Sequence, residues 1–125
     1  MDEFEPVAFM SVESGDDFIV SFFVVNPDDP TDGRSIILLR DRKWENLLPE
    51  WERGVKVSDE DFPDDEEQND NFLERIRLGT STAEVWSKHQ RHKLDLRKVE
   101  RSKLTAAKKI LKKMNYDKSF KLEVD

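Results

Sequence analysis

Carboxylates are the most concentrated group of side chains in this chain that could do chemistry. Residues 59–70 contain eight of them and no basic residue. They are Asp59, Glu60, Asp61, Asp64, Asp65, Glu66, Glu67 and Asp70. Mutual repulsion opposes their burial, so the run predicts a solvated, mobile acidic loop at about residues 58–71. The alternative interpretation is a polyanionic arm that binds a basic partner.

Metal ligation is the first chemistry that carboxylates suggest, and the spacing does not support it. Residues 28–33 begin like a calcium-binding loop, but Pro30 occupies the third position and Leu39 the twelfth, where a bidentate Glu is needed. The acidic run lacks a glycine to gather its ligands. His89 and His92 have no carboxylates close in sequence, which makes them a poor metal site. We therefore expect no metal and no cofactor.

Catalytic patterns are equally scarce. The chain has no cysteine, which excludes thiolate nucleophiles, disulfides and cysteine-ligated metals. Its four glycines are isolated, so none forms a phosphate-binding loop, and no serine lies in a glycine-flanked elbow. An unrecognised enzyme is the third and least favoured interpretation, and no catalytic residue is assigned.

Basic side chains are concentrated in the last third of the chain. Residues 1–85 contain 8 Lys/Arg and 23 Asp/Glu, whereas residues 86–125 contain 13 Lys/Arg and 5 Asp/Glu. Five of these lysines fall on one predicted helix: Lys103, Lys108, Lys109, Lys112 and Lys113. They suggest a nucleic-acid-associated module as the alternative function, although the sequence shows no aromatic platform of the kind RNA-binding sheets use.

Two apolar runs indicate the sheet that would position these groups. Residues 18–25 are apolar at every position except Ser21, and residues 36–39 are apolar throughout. β-Branched and aromatic side chains dominate the first run, which favours a strand over a helix. The lack of alternation predicts that both of its faces are covered. We expect the two runs to be neighbouring strands at the centre of the sheet.

The remaining pattern predicts an α+β fold. Turn residues between apolar segments indicate a mainly antiparallel, meander-like sheet of about six to eight strands. An apolar stripe from Leu104 to Met114 predicts one long helix over residues 99–115, packed on one face of that sheet. Residues 81–96 begin with a capping box that would suit a helix, but their weak apolar stripe favours a hairpin that turns at residues 88–91.

Two tryptophans lie in a segment whose residues give conflicting predictions of secondary structure. Trp44, Leu47, Leu48 and Trp51 recur at helical spacing, but Pro49 disfavours helical backbone at the residue before it. We expect a short helical turn near residues 43–48 and an irregular turn after it. The preferred interpretation buries both tryptophans against the sheet. The alternative exposes them together as an interaction patch.

Composition predicts one soluble, cytoplasmic domain spanning residues 1–125. The apolar fraction is 36%, below the usual range of roughly 45–50%. No apolar run approaches the ~20 residues of a membrane span, so no membrane association is expected.

Charge favours a non-enzymatic, acidic protein-binding domain. The net charge is −7, and dense negative charge speeds encounter with a basic protein partner. An inhibitor or immunity-type partner of a basic protein is the form that charge suggests by analogy. The oligomeric state stays open, since the edge of the final strand could pair two copies.

Overall fold

The computed structural model describes residues 4–26, 28–41, 43–60 and 71–124. These residues form eight strands, one α-helix and two short 3₁₀ turns, so the α+β prediction is confirmed. The elements are β1 (Glu5–Ser14), β2 (Asp17–Asn26), β3 (Asp29–Asp41), β4 (Lys56–Asp59), β5 (Leu73–Leu78), β6 (Thr82–Ser87), β7 (Arg91–Asp95), α1 (Arg101–Met114) and β8 (Lys121–Val124), with 3₁₀ turns at Glu45–Leu47 and Glu50–Glu52.

The eight strands form one sheet in the order β4-β3-β2-β1-β7-β6-β5-β8. Two antiparallel meanders, β1–β4 and β5–β7, are joined by a short parallel pairing of β1 with β7, and β8 pairs parallel to β5. The outer side of β4 also meets the start of β5, where Val57 N donates to Asn71 O at 2.9 Å and Leu73 N donates to Val55 O at 2.7 Å. The sheet therefore curls back on itself.

The two apolar runs are neighbours, as predicted, but they do not lie at the centre of the sheet. They belong to β2 and β3, and β1 and β7 occupy the middle positions. The expectation that both faces of β2 are covered is met fully on the inner face and only in part on the outer face. Phe22 and every second residue of its apolar run on either side are buried on the inner face. Phe23, on the outer face, is half-buried, and its ring stacks on that of the exposed Phe9 with 5.0 Å between the ring centroids.

The helix covers the inner face of the sheet. Its buried side chains are Leu104, Ala107, Ile110, Leu111 and Met114, which is the predicted stripe. They share one core with the inner residues of the strands, because an amphipathic helix buries its apolar side against a sheet. The hairpin prediction is confirmed as well, since β6 and β7 pair antiparallel across the turn at residues 88–90. In the part of the chain described, no helix has the length and apolarity needed to cross a membrane.

Candidate protein-binding surface

One end of the sheet is built around Arg40, a buried cation. Its side chain follows Ile36 and Leu38 on the inner face of β3 and is 1% exposed. Arg40 Nε donates to Glu45 Oε2 at 2.9 Å, and Nη2 donates to Glu45 Oε1 at 2.6 Å. Nη1 and Nη2 also donate to the two carboxylate oxygens of Asp117 at 2.9 and 2.7 Å. Although burial opposes the charged form, these two carboxylates raise the pKa of Arg40 above its usual value.

The same guanidinium closes the carboxyl end of α1. Arg40 Nη1 donates to the main-chain oxygen of Met114 at 2.7 Å, which satisfies a carbonyl that the helix leaves unpaired. The Tyr116 ring centroid lies 4.2 Å from the guanidinium carbon, and its hydroxyl contacts both Arg40 and Glu45. Hydrogen bonding from Arg40 lowers the pKa of Asp117 to about 2. One cation therefore joins β3, the segment that follows it and the α1–β8 connection.

The segment anchored by Glu45 exposes its large apolar side chains. We define residues 43–53, which contain both 3₁₀ turns, as the tryptophan loop. Trp44 is 55% exposed, Leu47 is 77% exposed and Trp51 is 79% exposed. The prediction that the tryptophans are buried is wrong, and the alternative of joint exposure is what the structure shows. The reason is that Glu45, only 4% exposed, is the residue of this segment that enters the core beside Arg40.

Main-chain and side-chain hydrogen bonds hold the tryptophan loop in one shape. Trp44 N donates to Asp41 Oδ1 at 2.9 Å, and Leu47 N donates to Trp44 O at 3.0 Å. Arg53, which follows the second turn, donates a hydrogen bond from Nε to Leu48 O at 3.0 Å. In a 3₁₀ turn, residues three apart share a side, so Trp44 and Leu47 lie on the same side of the loop. The exposed apolar groups are thus presented by an ordered segment.

A groove borders the tryptophan loop. It has a volume of about 580 Å³ and is lined by Phe18, Asn46, Lys113 and Tyr116. Tyr116 is 64% exposed although its hydroxyl is held by the buried network. The groove therefore combines an aromatic wall with a lysine at its margin, next to the exposed side chains of the loop.

Four carboxylates are grouped near the start of the tryptophan loop, where Trp44 N contacts Asp41 and Lys43 contacts Asp16. We call them the acidic cluster: Glu13, Asp16, Asp17 and Asp41. Asp17 and Asp41 face each other across β2 and β3, and Lys43 Nζ is 3.8 Å from Asp16 Oδ2. Desolvation, followed by the charges of Asp41, Asp16 and Glu13, raises the pKa of Asp17. Like charges held this close repel one another, so the free protein keeps the cluster at a cost in stability.

The predicted acidic loop falls mostly outside the described residues, which omit 61–70. Asp59 is the last residue of β4 rather than a loop residue, and its buried side chain accepts a hydrogen bond from Arg34 Nε at 3.0 Å. Glu60 is exposed, and its main-chain N donates to Ser35 O at 3.2 Å. Partner binding by this run stays a prediction, but the Asp59 carboxylate is already engaged within the fold.

The predicted lysine surface lies on the solvent side of α1. Lys103, Lys109, Lys112 and Lys113 are exposed and Lys108 is half-buried. The last two turns of the helix carry four of these lysines on the side away from the apolar stripe: Lys108, Lys109, Lys112 and Lys113. Nothing in this placement tests nucleic-acid binding, so that function stays a prediction.

The two histidines lie in different surroundings, because His92 is buried and the side chain of His89 is exposed. His92 is buried on β7, and burial lowers its pKa. Its Nε2 atom lies 3.2 Å from Gln90 Oε1. Gln90 Oε1 also accepts from Asn71 Nδ2 at 3.0 Å, and Asn71 Oδ1 accepts from His89 N at 2.9 Å. The residues that the structure describes contain no cluster of three or more His, Asp or Glu side chains able to hold a metal ion.

Comparisons with protein-family models, curated proteins and solved structures each found no match for this chain. The surface around the tryptophan loop therefore has to be interpreted from its own chemistry.

Proposed function

We propose that this chain is a non-enzymatic protein-binding domain whose contact surface is centred on the tryptophan loop. The observation that carries the proposal is the joint exposure of Trp44, Leu47 and Trp51 on a hydrogen-bonded segment. Keeping such side chains in water forgoes about 1.5–3 kcal/mol of burial energy each. A partner that covers them recovers that energy.

The composition of the surface suits a protein partner. Trp, Tyr and Arg dominate the binding energy of protein interfaces, usually from a central position surrounded by polar residues. Here two tryptophans and Tyr116 stand near carboxylates and lysines. Because the loop is already ordered, binding costs less conformational entropy than it would for a flexible segment.

The charge around the loop favours a basic partner. Asp41 of the acidic cluster accepts a hydrogen bond from Trp44 N, Glu50 and Glu52 are exposed in the second turn, and the chain carries a net charge of −7. A cationic surface would relieve the repulsion within the cluster and would be drawn to it at long range. An inhibitor or immunity-type role toward a basic protein is one form of this function.

Affinity capture with matched variants tests the proposal. Wild-type protein, Trp44→Ala/Trp51→Ala and Phe9→Ala are immobilised, exposed to native lysate and analysed by mass spectrometry. Phe9 is the control because it is 56% exposed but lies on the outer face of β1. We expect a basic protein to bind the wild type and Phe9→Ala and to be lost from the tryptophan variant. A partner retained by the tryptophan variant would show that the loop is not the contact surface.

A second variant separates the two acidic regions. Replacing the seven acids of residues 60–70 with Ser or Asn removes the rest of the predicted polyanionic arm, keeps the buried Asp59–Arg34 contact and does not touch the tryptophan loop. If the captured protein still binds, the acidic cluster supplies the attraction. If it is lost, the arm is needed as well.

A further inference from the structure

The outer face of the other half of the sheet carries a basic and aromatic row that sequence spacing did not reveal. In the strand register, Arg91 of β7 is opposite Trp86 of β6, Trp86 is opposite Arg75 of β5, and Arg75 is opposite Lys121 of β8. Neighbouring strands are about 4.8 Å apart, so the four residues span roughly 14 Å. Arg75 and Arg91 therefore lie on either side of Trp86, and Lys121 follows Arg75 in the same row across four strands.

A second row lies beside the first. It consists of Lys93, Glu84, Arg77 and Glu123 on the same four strands. Lys93 also lies 5.8 Å above the exposed Phe4 ring, which extends the aromatic surface beyond β7. Together the two rows hold five cations and two carboxylates, an excess of positive charge in a chain whose net charge is −7.

The tryptophan is held by its neighbours in a way that leaves it able to stack. The guanidinium carbons of Arg75 and Arg91 lie 4.6 and 5.0 Å from the Trp86 ring. Arg75 Nη2 pairs with Glu123 at 2.6 Å and Arg91 Nη2 with Glu84 at 3.8 Å. Both arginine side chains are about half exposed, and the long Arg91–Glu84 pair is weak, so the Arg91 guanidinium can turn toward an incoming anion.

We propose that this arginine–tryptophan face, formed by Phe4, Arg75, Arg77, Trp86, Arg91, Lys93 and Lys121, binds single-stranded nucleic acid. An unpaired base stacks on the Trp86 ring in place of a guanidinium group. The guanidinium groups of Arg75 and Arg91, beside that ring, pair with phosphates on either side, because planar bidentate contacts to phosphate are strong.

One feature favours single-stranded nucleic acid over a duplex, and another favours the arginine–tryptophan face over the lysine side of α1. Aromatic side chains on the face of a sheet offer stacking to unpaired bases, whereas the bases of a duplex are stacked already and its major groove admits a helix or a two-stranded ribbon rather than a four-stranded face. The lysine side of α1 offers charges only, because its exposed residues include no aromatic side chain.

The fluorescence of Trp86 provides a measure of oligonucleotide binding. The chain has three tryptophans, so Trp44→Phe/Trp51→Phe leaves Trp86 as the only indole emitter in the full-length protein. A thymidine oligonucleotide should quench its fluorescence to saturation at low salt. If about three phosphates are neutralised, affinity should fall about 20-fold for a fourfold rise in salt concentration. An oligonucleotide duplex of equal length should bind more weakly.

Charge-matched variants decide between the two surfaces. Arg75→Ala/Arg91→Ala should lower affinity at least tenfold and flatten the salt dependence, whereas Lys109→Ala/Lys112→Ala, which removes the same charge from α1, should change it less than threefold. With a dye-labelled oligonucleotide, Trp86→Leu should cost about tenfold. If the arginine variant does not fold by circular dichroism, Arg77→Ala/Lys121→Ala tests the same face. No quenching at low salt, or an equal loss in the lysine variant, would overturn the proposal.

Discussion

Replacing Arg40 with methionine tests whether one buried cation holds β3, the tryptophan loop and the carboxyl end of α1 together. The change leaves Glu45, which is 4% exposed, without its main partner. Removing one member of a buried ion pair costs about 3–5 kcal/mol, because the remaining charge is unpaired in a poorly solvated site. Asp117 adds little to this cost because its side chain is 39% exposed and water can replace the lost bonds.

We therefore expect Arg40→Met to lower the free energy of unfolding by about 3–5 kcal/mol and Tm by about 10–20 °C. Arg40→Met/Glu45→Met removes both charges and fills the site with apolar side chains, so it should recover about 2–3 kcal/mol of that loss. Arg97→Met is the control, since Arg97 pairs with Asp95 at an exposed site where the pair contributes little, and its urea midpoint should stay close to that of the wild type.

Urea unfolding followed by far-UV circular dichroism measures all three variants. The reasoning is refuted if Arg40→Met behaves like the Arg97 control, or if the double variant is less stable than Arg40→Met alone. In the first case the cation would not be needed for stability, and in the second the buried carboxylate would stabilise the protein on its own.

Three further predictions concern stability. Burial lowers the pKa of His92, so this histidine binds a proton more tightly in the unfolded chain than in the folded protein. The urea midpoint should therefore fall as pH drops below about 6.5. The fall should be smaller in His92→Gln. Asp17→Asn removes a charge from the acidic cluster and should raise the urea midpoint at neutral pH, with a gain that shrinks in about 1 M salt. Gly33→Ala would place a Cβ 2.7 Å from the Phe23 ring and 2.9 Å from a main-chain oxygen, so it should lower the free energy of unfolding by about 1–3 kcal/mol in urea titrations. Gly15→Ala, which meets nothing within 4 Å, should cost less than about 0.5 kcal/mol.

Local pattern was enough to predict the strands, the hairpin and the helix. Each depends on periodicity within one segment or on a short connection, such as the β6–β7 turn. The parallel pairings of β1 with β7 and β5 with β8 join distant segments, and no turn chemistry encodes them. Lys121 could not be placed beside Arg75 for that reason. The row of Arg91, Trp86 and Arg75 crosses antiparallel pairs, and it was missed because it depends on their exact cross-strand register.

The tryptophan loop shows why the candidate site was harder to predict than the fold. Helical spacing from Trp44 to Trp51 suggested an apolar stripe, but such spacing does not say which side faces the core. The decisive signal lay in β3, where Arg40 follows Ile36 and Leu38 at alternate positions and therefore points inward. A cation there requires a buried acid nearby, and Glu45 is five residues away. That requirement brings Glu45, rather than a tryptophan, into the core.

The contact between β4 and the start of β5 fixes the two points at which the acidic segment is attached to the fold. β4 ends at Asp59, Asn71 lies just before β5, and the bond from Val57 N to Asn71 O holds these two points close together. For a flexible loop between two fixed ends, each doubling of its length costs only about 0.6 kcal/mol in closure entropy. A flexible insert of another length or charge can therefore join the same two points at little entropic cost.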